Sequence, residues 1–273
     1  MPKAAVQNAV NAALPGKNLK LLDVPTSDKT LFPNGFPAGM HPVIGLITYS
    51  ADIRMSALQI DGPLINGAAQ VPYVGKDGSS APLQVALSNY IAGENGPLPN
   101  GLVPAVASPL LFAGNPIRLG QFLPENAAYM SDAAGTLTAE CKWALVPNPI
   151  SGPGVYPEVV DLLFKTASTS KYTPKTFKAV INQPIILPSG MCQRNAYYFN
   201  NATALPSLRN GQVTFGPGSD GVSATQSKLM QASPDGSGVY TNVDGYSACA
   251  QNVGNNPENC DQASANTDPN TLK

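Results

Sequence analysis

Apolar residues after position 42 occur in short runs or alternate with polar ones, and clusters of Gly, Pro, Asn and Asp separate these segments. Short runs at this spacing are typical of antiparallel strands in a sandwich or a barrel. The segments predicted as strands are 43–49, 56–61, 69–74, 83–92, 103–112, 136–146, 159–166, 176–182, 185–187, 195–200 and 212–215. The sequence therefore predicts a mainly β protein with few short helices.

One helix is predicted near the N-terminus. Val6, Val10 and Leu14 recur every four residues, after Pro2 and before the Pro15-Gly16 pair. Apolar residues at this period form one face of a helix, and a Pro-Gly pair ends it.

The segment 136–146 shows the clearest alternation of polar and apolar residues. One face is apolar and consists of Leu137, Ala139, Cys141, Trp143 and Leu145. The other face places Glu140 two residues from Lys142. Successive side chains of a strand point to opposite sides, so this strand is expected to have one buried face and one polar face.

Composition narrows the range of functions. Charged residues make up 12% of the chain, against about 25% in a typical soluble protein, and His41 is the single histidine. The 16 basic and 17 acidic residues form no basic block, which argues against a nucleic-acid partner. No run approaches the roughly 20 apolar residues that span a bilayer, so no membrane span is expected.

A change in composition after Gly216 suggests three regions. Residues 1–41 are predicted to hold the helix and an extended lead-in, and residues 42–216 the β domain. Residues 217–273 are rich in Gly, Ser and Asn. They are expected to form an extension that packs on the β domain or hangs from it.

The four cysteines fall into two pairs by context. Cys141 and Cys192 lie in apolar, strand-like segments and are expected to be buried thiols. Cys249 and Cys260 bracket a polar loop, where a disulfide would reduce the entropy of the unfolded chain. We predict that bridge. No CxxC pair accompanies the lone histidine, so neither a metal nor another cofactor is expected.

Three features favour an exported protein whose leader has been removed. They are the low charge, the predicted disulfide and one glycosylation sequon at Asn201. The alternative location is the cytoplasm.

One stretch, Pro104 to Gly120, is followed by Gly135, Thr136 and Leu137. It resembles the part of acetoacetate decarboxylase-like proteins that runs from a Pro-Ala-Ile-Ala strand through a turn to a Gly-Thr-Leu strand. Further similarities lie at 58–64, which reads Leu-Gln-Ile-Asp-Gly-Pro-Leu, and at 198–213. The resemblance covers about 42–216 and implies an antiparallel closed β-barrel or cone around a small apolar pocket. A β-sandwich is the alternative.

The chain departs from that family at the positions that carry its chemistry. Ile117 stands where the resemblance places the Schiff-base lysine, and Arg118 stands at the neighbouring cation position. Ser50 replaces the family's arginine after Tyr49, and Ala68 stands near the position of its glutamate. Decarboxylation through an imine at the family's usual lysine is therefore not expected.

Other residues could still carry chemistry in such a pocket. The catalytic candidates are Arg118 to hold a carboxylate, Glu140 and Lys142 as acid and base, and Glu125. The candidates for binding substrate are Tyr129, Tyr198, Phe112 and His41. Each also has a structural interpretation, as a packing residue or as part of a solvated strand face.

Two functional hypotheses follow. The first is a small-molecule enzyme acting on a keto acid or related metabolite as a lyase, isomerase or hydrolase. The second is a non-catalytic, exported β-protein that binds an apolar small ligand or plays a structural role. Both make a small molecule the expected partner, and both leave open a homo-oligomer. They differ in whether Arg118, Glu140 and Lys142 converge in one cavity.

Overall fold

The computed structural model describes residues 1–55, 58–60, 63–79, 81–93, 117–124, 130–144, 158–199, 205–218 and 223–273. The predicted strand 103–112 lies outside these residues. So do three of the candidate residues, Phe112, Glu125 and Tyr129.

Strands and short helices build the described part of the chain. The strands are β1 Lys20–Leu21, β2 Ile44–Ser50, β3 Ile53–Met55, β4 Leu58–Ile60, β5 Leu64–Gly75, β6 Leu83–Gly93, β7 Arg118–Leu123, β8 Met130–Ser131, β9 Leu137–Trp143, β10 Glu158–Thr166, β11 Ile185–Ile186, β12 Cys192–Gln193, β13 Asn195–Tyr198, β14 Ser207–Phe215, β15 Val239–Ser247 and β16 Gln251–Gly254. The helices are α1 Lys3–Ala13, α2 Pro174–Ile181, α3 Ser223–Gln231, α4 Cys260–Ala265 and a 3-10 helix, Pro269–Leu272. None of these described helices is long and apolar enough to cross a membrane.

One 12-stranded sheet dominates the fold. Its main path is β1-β5-β6-β7-β9-β10-β14-β15, with β2 paired to β5. Most pairs are antiparallel, but β7 runs parallel to β6. The prediction of a mainly β protein with few short helices is confirmed.

The sheet curls so that its two ends face each other. A Cβ atom on Gly45 of β2 would lie 3.2 Å from Val213 and 3.3 Å from Val160, and one on Gly67 of β5 would lie 2.7 Å from Cys141. The half formed by β2 and β5 therefore covers the half formed by β9, β10 and β14.

The prediction of a closed barrel is wrong for the described strands. Closure requires every strand to have two neighbours, and β1 and β15 each pair with only one described strand. The result is a curled half-barrel. Its halves face each other as in the alternative β-sandwich, but they belong to one continuous sheet.

The helix predicted near the N-terminus is confirmed. It spans Lys3–Ala13 and buries Val6 and Val10 completely. The alternation predicted for β9 is also confirmed, because Ala139 and Cys141 are buried while Glu140 between them is partly exposed.

The predicted strand 176–182 is instead part of the helix Pro174–Ile181. Thr173 and Thr176 form a capping box, with Thr176 N donating to Thr173 Oγ1 at 3.1 Å and Thr173 N donating to Thr176 Oγ1 at 3.2 Å. Pro174 occupies the first helical turn, where its missing N–H costs nothing. These local start signals outweigh the β-branched residues that suggested a strand.

The C-terminal segment is built into the fold. Strand β15 pairs with β14 along its length, and β16 pairs with β13. Leu229 of α3 and Ala263 of α4 are fully buried. Residues from 223 onward therefore complete the sheet and the core.

The disulfide joins Cys192 to Cys260, so the predicted Cys249–Cys260 bridge is wrong. Cys192 and Glu258 exchange two backbone hydrogen bonds of 2.9 Å, which brings the Cα atoms of the two bonded cysteines to 4.8 Å. Strand β16 occupies the predicted loop and holds Cys249 away as an exposed thiol. Cys141 is a buried free thiol, as predicted, but the same prediction for Cys192 is wrong because Cys192 forms the disulfide.

We expect Cys260→Ser to lower the free energy of unfolding by about 2–4 kcal/mol, because the bridge closes a long loop in the unfolded chain. The two bonded residues are separated by 68 positions. Urea unfolding of the oxidised protein measures the change, and Cys249→Ser is the matched control with no expected effect. A larger loss in Cys249→Ser than in Cys260→Ser would contradict the observed pairing.

Candidate functional site

A cavity of about 1750 Å³ lies on the concave side of the curled sheet. Strands β2, β9, β10, β14 and β15 contribute to its wall, and helix α2 closes part of it. Apolar side chains form most of its lining, and many polar ones also contribute, among them Asp52, Lys171, Arg209 and Asp244. Concave, mostly apolar cavities with some polar groups commonly bind small molecules.

Strand register arranges part of this wall in rows. Each row takes one residue from β10, one from β14 and one from β15: Leu162, Val213 and Tyr240; Phe164, Gly211 and Val243; Thr166, Arg209 and Gly245. On β10 and β14 the residues of the three rows lie two positions apart, so they share one face of each strand. On β15 Tyr240 and Val243 lie three positions apart, and the register shift opposite Gly211 and Val213 keeps them in the rows. The first two rows are almost wholly apolar and the third contains Thr166 and Arg209; seven of the nine residues line the cavity, and Gly211 and Thr166 do not.

Aromatic rings form much of the remaining lining. Phe177 of α2 stacks on Tyr246 of β15 with ring centroids 4.9 Å apart. Near another part of the wall, Phe32 contacts the rings of Phe36 and Tyr172, each at 6.2 Å. Aromatic surfaces bury a large apolar area and still offer weak polar contacts at their edges.

His41, a predicted substrate-binding residue, lines this cavity. Its ring is almost completely buried, and Nε2 lies 2.7 Å from the carbonyl oxygen of Pro72. A carbonyl only accepts, so Nε2 donates, and the buried Nδ1 has no partner among the described residues. Burial lowers the pKa of His41 to about 4, so the ring is neutral near pH 7.

Arg209 lies at the polar end of the rows. Its Nε donates to Ser247 Oγ at 3.0 Å, and its Nη1 donates to Thr166 Oγ1 at 2.7 Å. Both partners are neutral hydroxyl groups. Among the residues that the structure describes, no carboxylate lies within 4.0 Å of this guanidinium group.

Glu140 and Lys142 lie together, as predicted, but they do not line the cavity. They share the opposite face of the sheet with Glu158 and Asp161 of β10. Lys142 Nζ lies 3.4 Å from Glu140 Oε2 and 3.7 Å from Glu158 Oε2. We call these four residues the convex-face cluster.

Asp161 holds a proton in this cluster. Burial raises the pKa of its carboxyl group, and a hydrogen bond to Glu158 raises this pKa further, well above its usual range. Two carboxyl groups joined by a hydrogen bond need one proton between them.

Lys142 remains an ammonium ion. Burial alone would lower the pKa of its amine, but the carboxylates of Glu158 and Glu140 outweigh burial and raise that pKa. An amine nucleophile needs a lowered pKa instead. The environment of Lys142 therefore favours an ion pair over covalent chemistry.

The other predicted site residues are dispersed. Arg118 begins β7 and shares a strand face with Phe122, which pairs with Cys141, so it lies across the sheet from Lys142. Burial lowers the pKa of Arg118. Tyr198 donates from its hydroxyl to Asp268 Oδ2 at 2.9 Å and is not among the described lining residues. The catalytic and binding roles assigned to these residues stay predictions.

Three residues of interest were not found from the sequence: Glu158, Asp161 and Arg209. The alternation of β10, with Val160, Leu162 and Phe164 on one face, would have placed Asp161 opposite them. Nothing local to Arg209 showed that Thr166 and Ser247 would flank it, because those contacts depend on strand pairing over about 40 residues.

We expect Asp161→Asn to flatten the pH dependence of stability. The folded state of the native protein binds a proton at Asp161 that the unfolded chain releases near pH 4. The contribution of Asp161 to the free energy of unfolding is therefore fully present below about pH 4 and is lost as pH rises towards the raised pKa of this group. The neutral amide avoids this loss and can donate to Glu158, which should stabilise the variant by about 1–2 kcal/mol near pH 8.

Urea unfolding between about pH 5 and pH 9 measures this effect. Asp77→Asn, in the exposed turn between β5 and β6, is the control and should leave the pH profile unchanged. A profile for Asp161→Asn that parallels the native one would show that Asp161 does not hold the proton.

The structure offers no group of three or more His, Cys, Asp and Glu side chains, within its described residues, that could hold a metal ion. Comparison with models of protein families, with curated proteins and with solved structures finds no match to this chain. The resemblance to acetoacetate decarboxylase-like proteins therefore stays a prediction, and functional inference depends on the cavity and the convex-face cluster themselves.

Proposed function

We propose that this protein binds an elongated, apolar small molecule in the cavity on the concave side of its sheet. The observation that carries the proposal is the cavity of about 1750 Å³ with its rows of aliphatic and aromatic side chains. Transfer of an apolar ligand from water to such a surface is favourable by roughly 25 cal/mol per Å² of apolar area.

The positions of the predicted catalytic residues favour binding over the predicted catalysis. An enzyme of the predicted kind needs acid, base and carboxylate-holding groups around one substrate. The cavity lining contains none of Arg118, Glu140 and Lys142. The neutral His41 contributes little proton-transfer capacity near pH 7, since its pKa is about 4.

Export is part of the same proposal. The Cys192–Cys260 disulfide supports it, because such bonds persist in oxidising compartments and are rare in the cytosol. A secreted or periplasmic carrier of an apolar molecule would have both the disulfide and the apolar cavity.

A second candidate, an enzyme acting on a keto acid, has one specific observation in its favour. Asp161 keeps a proton above the usual carboxyl range and shares it with Glu158, and such a carboxyl group can act as a general acid. Lys142 lies beside the pair as a fixed positive charge. Under this candidate the chemistry occurs at the convex-face cluster and uses no imine.

We expect Val243→Trp to weaken binding of Nile red, an uncharged apolar dye, by about ten-fold or more. Val243 lies in the second row of the wall, so an indole ring there would occupy ligand space. Excluding about 55 Å² of apolar contact costs about 1.4 kcal/mol, which is ten-fold in Kd. Fluorescence titration gives the Kd directly.

Thr241→Trp is the matched control for that experiment. Thr241 lies on the same strand, is exposed and is not among the described lining residues. Its variant should bind the dye as the native protein does. Equal affinity of both tryptophan variants, or no saturable binding by the native protein, would contradict the proposed function.

We expect borohydride treatment with acetoacetate or pyruvate to leave Lys142 unmodified, as read by peptide mass. The reason is that its pKa is raised, so the unprotonated amine needed for imine formation is scarce. Exposed Lys29 reports background modification. A specific adduct on Lys142 would contradict the ion-pair assignment and favour an enzyme that uses imine chemistry.

A further inference from the structure

We propose that the ligand is a single-chain amphiphile with a carboxylate head, and that Arg209 binds this head at the polar end of the cavity. This inference rests on the proposed function. It adds the charge and shape of the ligand, which the apolar lining alone does not specify.

Residues on one face of β14 change from a cation at one end to buried apolar side chains at the other. Arg209, Gly211, Val213 and Phe215 lie on one face, and exposure falls from the partly exposed Arg209 to 6% at Val213 and 2% at Phe215. At about 3.3 Å per residue, the strip is roughly 20 Å long. A cation at one end of a narrow apolar strip matches a molecule with one anionic end and an extended apolar chain.

The neighbouring strands β10 and β15 show the same change from polar to apolar residues. Thr166 of β10 pairs with Arg209, and Ser247 of β15 lies near the same end. Inward from this end, Phe164 of β10 and Val243 of β15 flank Gly211. The hydroxyl groups and the guanidinium group are therefore grouped at one end of three adjacent strands.

Arg209 donates hydrogen bonds to two hydroxyl groups and has further N–H donors. A guanidinium group has five N–H donors, and the two that donate here bind neutral hydroxyl groups. Those two bonds fix the orientation of the group without neutralising its charge. The remaining donors can form a bidentate pair with a carboxylate, the geometry in which Arg binds such groups most strongly.

The carboxylate of Asp244, which also lines the cavity, has its own hydrogen-bond partners. Asp244, on the neighbouring strand, accepts hydrogen bonds from Lys171 N at 3.0 Å and from Asn210 Nδ2 at 3.1 Å. Asn210 faces away from Arg209 on β14 because adjacent residues alternate. The carboxylate of Asp244 is therefore engaged with groups other than Arg209.

The test compares dodecanoate with dodecanol, which has the same chain and no charge. Displacement of Nile red gives both affinities for the native protein, for Arg209→Gln and for Arg209→Lys. We expect the native protein to prefer the carboxylate by about ten- to hundred-fold, the range for a charge-assisted hydrogen-bonded pair. Arg209→Gln should lose this preference and keep its affinity for dodecanol, and Arg209→Lys should retain part of the preference.

Lys165→Gln is the matched control, because Lys165 is an exposed cation next to Thr166 on the opposite face of β10. It should keep the native preference for dodecanoate. Added salt should reduce that preference in the native protein, since an ion pair at the cavity rim is partly screened.

The outcomes separate the two proposals. If the native protein binds neither compound, the proposed function fails and this inference fails with it. If it binds both equally, or if Arg209→Gln keeps the preference for dodecanoate, the cavity is a binding site but Arg209 does not recognise a carboxylate head. Should Arg209→Gln not fold, the native protein, its salt dependence and Arg209→Lys still decide the question.

Discussion

Close packing between the two halves of one curled sheet determines where the core and the cavity lie. At Gly45 and Gly67 a Cβ atom would come within about 3.3 Å of side chains on the facing half, so the lack of a side chain permits this approach. The approach buries Val160 and Cys141 in a common core. Leu162 and Val213, which lie at these contacts, also line the concave cavity.

Strand alternation then separates two kinds of chemistry. Leu162 and Phe164 of β10 face the cavity, while Asp161 lies on the other side with Glu140 and Lys142. The sheet therefore carries an apolar surface and a charged cluster back to back. For this reason a pocket and an acid-base pair, both expected from the sequence, do not form one active site.

The C-terminal segment contributes to the sheet and to the cavity wall. Strand β15 supplies Tyr240 and Val243 to the cavity wall, and the Cys192–Cys260 bond fixes the chain that follows. The sequence predicted the alternation of β9, the first helix and long strands such as β2, β6 and β10, because those depend on local periodicity. It missed β7, β15, the disulfide partner, helix α2 and the contacts of Arg209. The disulfide and the Arg209 contacts depend on pairing between distant strands. Helix α2 depends on the Thr-Pro-Lys-Thr cap, which outweighs the β-branched residues on which the strand prediction was based.

An apolar ligand is proposed to lie along the rows of the concave wall. A crystal structure of the protein soaked with a terminally brominated dodecanol can locate this ligand, since anomalous scattering identifies the bromine. We expect bromine density inside the cavity, beside Leu162, Val213 and Tyr240. Bromine bound only outside the cavity, with the interior closed by side chains, would rule out this binding site.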